Sequence, residues 1–431
     1  MDEKAPTHNM KAVIKETGLT PVTLRAWERR YGLIKPQRSP GGHRLYSAEE
    51  IVLLKWLVER QKEGLTISRA VDLWRSQAGR PQELSKSSQI LQVNPELDEG
   101  MLDQMAQNWY DACLAFNEPE AELVVARALA MVSPEVVCTQ VLQKGLAEVG
   151  REWYAGKVSV QQEHFASALA ARRLNALFAI APAPKQAGRL LFVCPAGEYH
   201  DLALLMLAFI LRWQGREVIY LGADNPLDQL DAALQTTKPD LVISAAQTLP
   251  GAASLVELAD FLNRRSLRLA FGGGIFNHID KLSDRIPGYF LGREIIKAPQ
   301  EIDRLLTDRS SLPVSNPAAP EYAENLAGFR EHGAVIMSHV RQIMQSSGID
   351  PRHVEAANVN FSQAVTAALI LGDVGLLDYS VVWLNGFLEN IHVSPVFALQ
   401  YYQAFNNAVK EQPGFKDGPL LDWLAKFETM S

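Results

Sequence analysis

Five short apolar runs, LLFVC, EVIYLG, LVISAA, LAFGGG and YFLG, fall between residues 190 and 292, with helix-length stretches separating most of them. No other feature of the chain restricts its fold so strongly. Strands that alternate with helices pair in parallel, because each crossover carries the chain back to the start of the sheet. The expectation is a doubly wound parallel sheet over 186–308. Ligands of such sheets lie at the carboxyl ends of the strands, where the sequence places Glu198, His200, Ser244 and the glycines Gly272, Gly273 and Gly274. A neutral imidazole is a good transition-metal ligand, and a carboxylate that accepts its other N–H selects the tautomer. Glu198, two residues before His200, suits that role. One histidine with no cysteine beside it does not make a zinc cage, which needs about three or four ligands. It suits a macrocycle that brings the other metal ligands with it, with His200 as the axial ligand, and bare glycine backbone would let a ligand tail pass.

The rest of the chain divides at polar, Pro- and Ser-rich stretches: QAGRPQELSKSSQILQVNP (77–95), APAPKQAG (181–188) and SSLPVSNPAAPEY (310–322). The divisions are 1–80, 95–181, 186–308 and 320–431, a multidomain α plus α/β chain. Charge is uneven across them. Residues 1–80 hold 15 Lys and Arg against 9 Asp and Glu, although the whole chain is at −7. A basic head on an acidic body suits nucleic-acid binding. No window is long and apolar enough for a membrane span, and the polar N-terminus has no signal-peptide core, so a cytoplasmic protein is expected. Cys113, Cys138 and Cys194 are scattered in apolar company and read as buried free thiols.

The head carries its own pattern. MKAVIKETGLTPVTLRAWERRYGLI holds two short helices around a turn at Gly18, with Thr20 as cap and Pro21 in the first turn of the second helix. That helix presents Thr23, Arg25, Arg29 and Arg30, while Leu24 and Trp27 are free to face inward. Guanidinium groups on such a helix reach base edges and phosphates in the major groove. KPQRSPGGHRLYS follows, with Lys35, Arg38, His43 and Arg44 around Pro40-Gly41-Gly42 as a basic wing. Ser47 with Glu50 is a capping box opening the next helix. The run TLRAWERRYGLIKPQRSPGGHRLYS resembles the winged helix-turn-helix head of MerR-family transcription regulators over about residues 9–77. The resemblance implies Arg25 and Arg29 at the groove, Arg44 and Tyr46 near backbone phosphate, and binding to double-stranded operator DNA as a dimer.

The sheet region resembles the cobalamin-binding fold of corrinoid proteins, whose signature is D-x-H-x-x-G, then S-x-L, then G-G. Here the segments read Glu198-Tyr-His200-Asp-Leu-Ala203, Ser244-Ala-Ala246 and Gly272-Gly273. Glu198, Ala203 and Ala246 depart from the pattern. The resemblance implies that His200 ligates cobalt from below, replacing the cofactor's own base, and that Ser244 and the glycines hold the displaced base. In the helical stretch before the sheet, Trp153, nine residues and then Glu163-His164 resemble the W-x9-E-H motif of CarH-type light-sensing regulators. These join a MerR head, a four-helix bundle and a cobalamin fold in this order. That likeness implies Trp153, Glu163 and His164 at the upper face, adenosylcobalamin as cofactor, and repression by a dimer or tetramer that is not an enzyme. Tyr154 stands where the light-sensing members place a second histidine.

Residues 320–431 are extra to that plan. Four or more amphipathic helices are expected there, with His332, His339, His353, His392 and several aromatics. The segment resembles the helical module of bilin-using photoreceptors called photocobilins. A packing or oligomerisation domain and a noncovalent bilin or haem pocket both remain open. Two other functions fit parts of the chain: a corrinoid methyl carrier, against which the DNA-binding head argues, and a regulator that senses through its C-terminal helices.

Overall fold

All five apolar runs form strands. In the computed structural model they are β4 (Arg189–Pro195), β5 (Glu217–Asn225), β6 (Leu241–Ala245), β7 (Leu269–Gly272) and β8 (Tyr289–Phe290). They make a parallel sheet in the order β5-β4-β6-β7-β8. The structure describes residues 8–17, 19, 21–31, 34, 36–38, 44–62, 67, 71, 99–308, 313, 318–345, 349–390, 395–413, 415 and 417–428. The stretch at 77–95 and most of 310–322 lie outside these residues. Two units are present, Met1–Gln92 and Val93–Ser431.

The first unit opens with β1 (His8–Asn9), α1 (Met10–Thr17) and α2 (Pro21–Tyr31). The strands β2 (Gln37–Arg38) and β3 (Arg44–Tyr46) follow, and then α3 (Ala48–Lys62). The three strands are antiparallel with β3 central, and β2 and β3 pair as the expected wing. Leu24 and Trp27 of α2 are buried with Val13, Tyr46 and Leu54. Ser47 and Glu50 form the predicted box: the Ser47 amide donates to Glu50 Oε2 at 2.9 Å, and the Glu50 amide donates to Ser47 Oγ at 3.2 Å. Gly18 and Thr20 lie outside the described residues.

The second unit begins with a helical bundle: α4 (Glu99–Leu114), α5 (Glu118–Leu129) and α6 (Pro134–Val137). The last of these continues through a π turn, Cys138–Gln143, into α7 (Lys144–Tyr154), and α8 (Val160–Ala179) closes the bundle. After β4 comes α9 (Leu202–Trp213), buried without a break from Leu204 to Leu211. The reason is that it is packed on two sides. Leu204, Leu207, Ala208 and Leu211 face the sheet with Phe192 and Cys194. Leu205, Met206, Phe209 and Ile210 join the bundle core around Trp109. A helix that is apolar all round is one with no solvent face.

The other sheet face is covered by α10 (Leu227–Thr237) and α11 (Leu249–Asn263), and α12 (Ile275–His278) and α13 (Ala298–Thr307) complete the winding. Leu191 and Val193, alternating along β4 with Phe192 and Cys194, point to this second face. The C-terminal helices are α14 (Pro320–Met344), α15 (Pro351–Leu371), α16 (Leu377–Asn390), α17 (Pro395–Lys410) and α18 (Pro419–Leu424). They bury Phe361 edge-on against Tyr402 at 5.1 Å and Phe405 at 4.8 Å. The same hydrophobic core runs on through α11 to the sheet, and α15 packs directly on α11. The expected boundary at 181–188 falls between α8 and β4, and the end of 310–322 enters α14, but neither separates cores, since one core spans the sheet and the C-terminal helices and another joins the bundle to α9. Phe361, Tyr401, Tyr402 and Phe405 pack against one another inside this segment, and His339 Nδ1 pairs with Glu411 at 3.0 Å.

Candidate corrinoid site and nucleic-acid interface

The strand order reverses beside β4, and in such sheets ligands lie at the carboxyl ends of the strands on either side of the reversal, here β4 and β6. Glu198 follows β4 and is 1% exposed, so its charge must be met by the protein. Its Oε1 accepts the His200 amide at 3.0 Å and lies 2.7 Å from His200 Nδ1. Its Oε2 accepts the Gln247 amide at 2.9 Å, the Thr248 amide at 3.2 Å and the Thr248 hydroxyl at 3.1 Å. Thr248 is the N-cap of α11, where free amides and the helix dipole both favour an anion. Burial alone would raise the Glu198 pKa. The bond from His200 and the amides of Gln247 and His200 outweigh it and hold the carboxyl below its ordinary value.

An ionised carboxylate only accepts, so Nδ1 of His200 carries a proton, and in the neutral ring Nε2 keeps its lone pair. The His200 side chain is 67% exposed, so that lone pair is open to a ligand. The Glu198 bond raises the His200 pKa against the opposing effect of burial, and the charges of Glu163 and Asp201 add to it. Glu163 lies on α8, so the upper motif and the lower histidine are close enough to feel one another. Glu163 Oε1 accepts Ser167 Oγ at 2.7 Å. His164 is exposed, and Trp153, next to last in α7, is half-buried against the bundle core. The three residues of the W-x9-E-H motif thus flank the α7–α8 turn.

Ser244 is 1% exposed and its hydroxyl donates to the Val193 carbonyl at 2.6 Å, tying β6 to β4. A ligand would meet it only as an acceptor. Gly273 has φ +124°, and a Cβ there would run into the Ala246 carbonyl, so no side chain fits between the ends of β6 and β7. Gly272 ends β7 with open space where its Cβ would be.

Three residues around the site carry no sequence motif. Gln247 accepts the Gly274 amide on its Oε1 at 2.8 Å, while its buried Nε2 has no protein partner. Thr248 stands two residues before Pro250, a helix-start signal that would have pointed to it. Asp224, at φ 49°, grips the loop before His200. Its Oδ1 accepts the Gly197 amide at 2.9 Å, its own amide donates to the Glu198 carbonyl at 3.1 Å, and its Oδ2 accepts the Tyr199 hydroxyl at 3.2 Å. Among the described residues no group of three or more His, Cys, Asp or Glu side chains could hold a bare metal ion. The donor set therefore fits a metal that arrives already ligated: one pinned, exposed imidazole, a side-chain-free glycine gap and an unpartnered amide.

In the first unit, Thr23 is half-buried and Arg25 exposed on α2, with the Arg25 Nε on the Pro21 carbonyl at 3.2 Å. Arg29 and Arg30 lie on α2 and Arg38 on β2, with side chains outside the described residues, as is the whole of His43. One expectation is corrected. Tyr46 is fully buried and its hydroxyl donates to Glu28 Oε1 at 2.5 Å, so it braces the wing against α2 instead of meeting phosphate. Burial, with Glu28 adding to it, pushes the Tyr46 pKa far above its ordinary value. Arg44 Nε binds the other Glu28 oxygen at 3.1 Å. Glu28 is thus the hub of the wing–helix contact, a role its place amid the arginines of α2 did not announce.

The three thiols are buried, and burial pushes Cys113, Cys138 and Cys194 each to about 12. No helix among the described residues is long and apolar enough to cross a membrane.

Residues 9–77 match the family model of MerR HTH family regulatory proteins, and residues 105–177 and 188–292 match two B12 binding domain models. The chain is 33% identical over 240 residues to the HTH-type transcriptional repressor CarA of Myxococcus xanthus, covering 55% of this chain and 75% of that one. It is 30% identical over 241 residues to the repressor CarH of the same organism, covering 55% and 77%. It is 29% identical over 125 residues to the methanol–corrinoid protein of Methanosarcina barkeri, covering 28% and 48%.

Proposed function

The chain belongs to the MerR-type transcription regulators with B12-binding domains, the family of CarA and CarH, and from that membership we propose that it is a light-responsive repressor using adenosylcobalamin. The observation that carries the corrinoid reading is the Glu198–His200 pair, with Nδ1 pinned at 2.7 Å and the rest of the ring exposed. Bound there, a corrinoid with an alkyl upper ligand supplies a cobalt–carbon bond that visible light breaks. The protein's residues do the rest. Glu198 fixes the imidazole tautomer, and Gln247 and Ser244 offer polar contacts beneath it. Trp153, Glu163 and His164 would hold the opposite side of the group. The head binds operator DNA through α2 and the wing, as a dimer or tetramer, and cofactor shifts DNA affinity by favouring one assembly over another.

The test is purified full-length protein with added adenosylcobalamin, in the dark and after illumination, passed through gel filtration and then assayed on operator DNA. Co-elution of corrinoid absorbance with the protein supports the reading, together with a light-dependent change in size and DNA affinity. Loss of the corrinoid on the column refutes it. A methyl carrier shares the fold and the lower histidine, and the methanol–corrinoid likeness belongs to that class. Its prediction differs, since a carrier has no use for DNA binding.

A further inference from the structure

The C-terminal helices lie beyond all three matched families, yet one of them reaches the site. At the end of α7, the phenol of Tyr154 lies against α16 at Gly386. A Cβ on Gly386 would stand 2.5 Å from the Tyr154 oxygen and 3.0 Å from its Cζ, so a side chain there would have to push the phenol away. Two helical turns earlier on α16, and therefore on the same face, Tyr379 stacks on His278, with ring centroids 6.3 Å apart and planes at 28°. Burial, and after it the neighbouring Tyr154, raises the Tyr379 pKa. His278 ends α12, the helix that opens directly after Gly272–Gly274. Tyr154 directly follows Trp153. One face of α16 thus touches both halves of the site, the upper helices at Tyr154 and the glycine end of β7 through His278.

The helix is also anchored in its own module and to the sheet domain. Asp378 accepts the Trp423 indole N–H at 3.1 Å. Arg285, before β8, donates to the Leu371 carbonyl at 2.9 Å and to Asp373 at 2.7 Å, just ahead of α16. Arg330 of α14 reaches Glu257 of α11 at 3.3 Å.

We propose that α16 is a third wall of the corrinoid site, closing its rim between the bundle and the sheet through Tyr379 and the Gly386–Tyr154 contact. The proposal rests on the corrinoid reading above. It assigns the C-terminal module a task in that site: cofactor leaves only when α16 parts from Tyr154. A side chain at 386 keeps the two apart and holds the rim open.

The experiment loads full-length protein with adenosylcobalamin in the dark and follows release of the corrinoid by absorbance after dilution into an apo-acceptor. Gly386→Val should release at least tenfold faster than wild type. Combining it with Tyr154→Ala should bring release back to the rate of Tyr154→Ala alone, because the clashing phenol is gone. Tyr379→Ala, which removes the other end of the wall and makes no clash, should also release faster, and it carries the test if Gly386→Val does not fold. Val382→Ala, at an α16 position that is 66% exposed, should match wild type. Release from both Gly386→Val and Tyr379→Ala within twofold of wild type overturns the wall while leaving the corrinoid reading intact. So does a Gly386→Val effect that persists undiminished in the Tyr154→Ala background. A wild-type protein that holds no corrinoid overturns both.

Discussion

Glu198 serves two masters with its two oxygens, and substitution should separate them. Oε1 takes the His200 amide and Nδ1, while Oε2 takes three donors at the start of α11. Glu198→Gln keeps the length of the arm. With its remaining oxygen turned to α11, the amide NH2 meets the Nδ1–H, donor against donor. The imidazole must turn or change tautomer, and Nε2 loses its defined lone pair. Losing a carboxylate that orients a metal-bound histidine costs about 10–100-fold in affinity. Glu198→Asp does the reverse. Its shorter arm can stay with His200 but falls short of α11, leaving up to three buried donors without their acceptor. Hydrogen bonds to a charged group contribute about 1.5–3 kcal/mol each and do not add fully, so a loss of about 2–4 kcal/mol in folding stability is expected. The assays are urea denaturation of the apo protein followed by circular dichroism, and titration with adenosylcobalamin in the dark. Glu198→Gln should bind about 10–100-fold more weakly with the smaller shift in urea midpoint. Glu198→Asp should unfold earlier and bind within a few-fold of wild type. If Glu198→Gln bound as tightly as wild type, the tautomer argument would be wrong. If Glu198→Asp unfolded at the wild-type urea concentration, the α11 contacts would not bear the energy assigned to them.

Asp224→Ala should loosen the loop at 197–199, lowering stability by about 1–2 kcal/mol and weakening corrinoid binding, as read by the same titration; identical titrations would deny Asp224 its positioning role. Tyr46→Phe should lower the thermal midpoint of the head, losing a buried bond to Glu28 of about 1–2 kcal/mol, yet leave the salt dependence of DNA binding unchanged, whereas Arg25→Ala should reduce that slope by about one. A Tyr46→Phe head that stayed folded but lost DNA affinity at fixed salt would return Tyr46 to the phosphates, since a neutral hydroxyl changes affinity without changing the slope. The thiols raised to about 12 leave on the order of 10⁻⁴ as thiolate at pH 8, and only the thiolate reacts. Iodoacetamide at pH 8 should therefore spare the folded protein and label all three cysteines in urea, and rapid labelling of the native state would contradict their burial. Tyr154→His should slow loss of the corrinoid after illumination, measured by gel filtration, because an imidazole is a good transition-metal ligand and a phenol is a poor one for cobalt; equal loss from both proteins would remove Tyr154 from the upper face.

What could be read along the chain were properties set by neighbours in sequence. The five strands were visible because a buried parallel strand is a short apolar run whatever it packs against. Leu24 and Trp27 were visible as the inner face of α2, and Ser47–Glu50 as a cap, because helix periodicity and capping span only three or four residues. Glu198 and His200 stood out because two residues suffice to make the pair. Tertiary structure decided what those residues are bonded to. The second oxygen of Glu198 meets Gln247 and Thr248 only because β6 lies beside β4. Asp224 reaches Gly197 only because β5 flanks β4 on the other side. Tyr46 looked like a phosphate contact until β3 turned its hydroxyl inward to Glu28. The unbroken apolar run of α9 signalled burial, but that it joins two cores could not be known until the bundle was in place. Nothing near Gly386 announces why it is glycine. The reason is Tyr154, more than two hundred residues earlier in the chain, and only the packing of α16 against α7 brings them together.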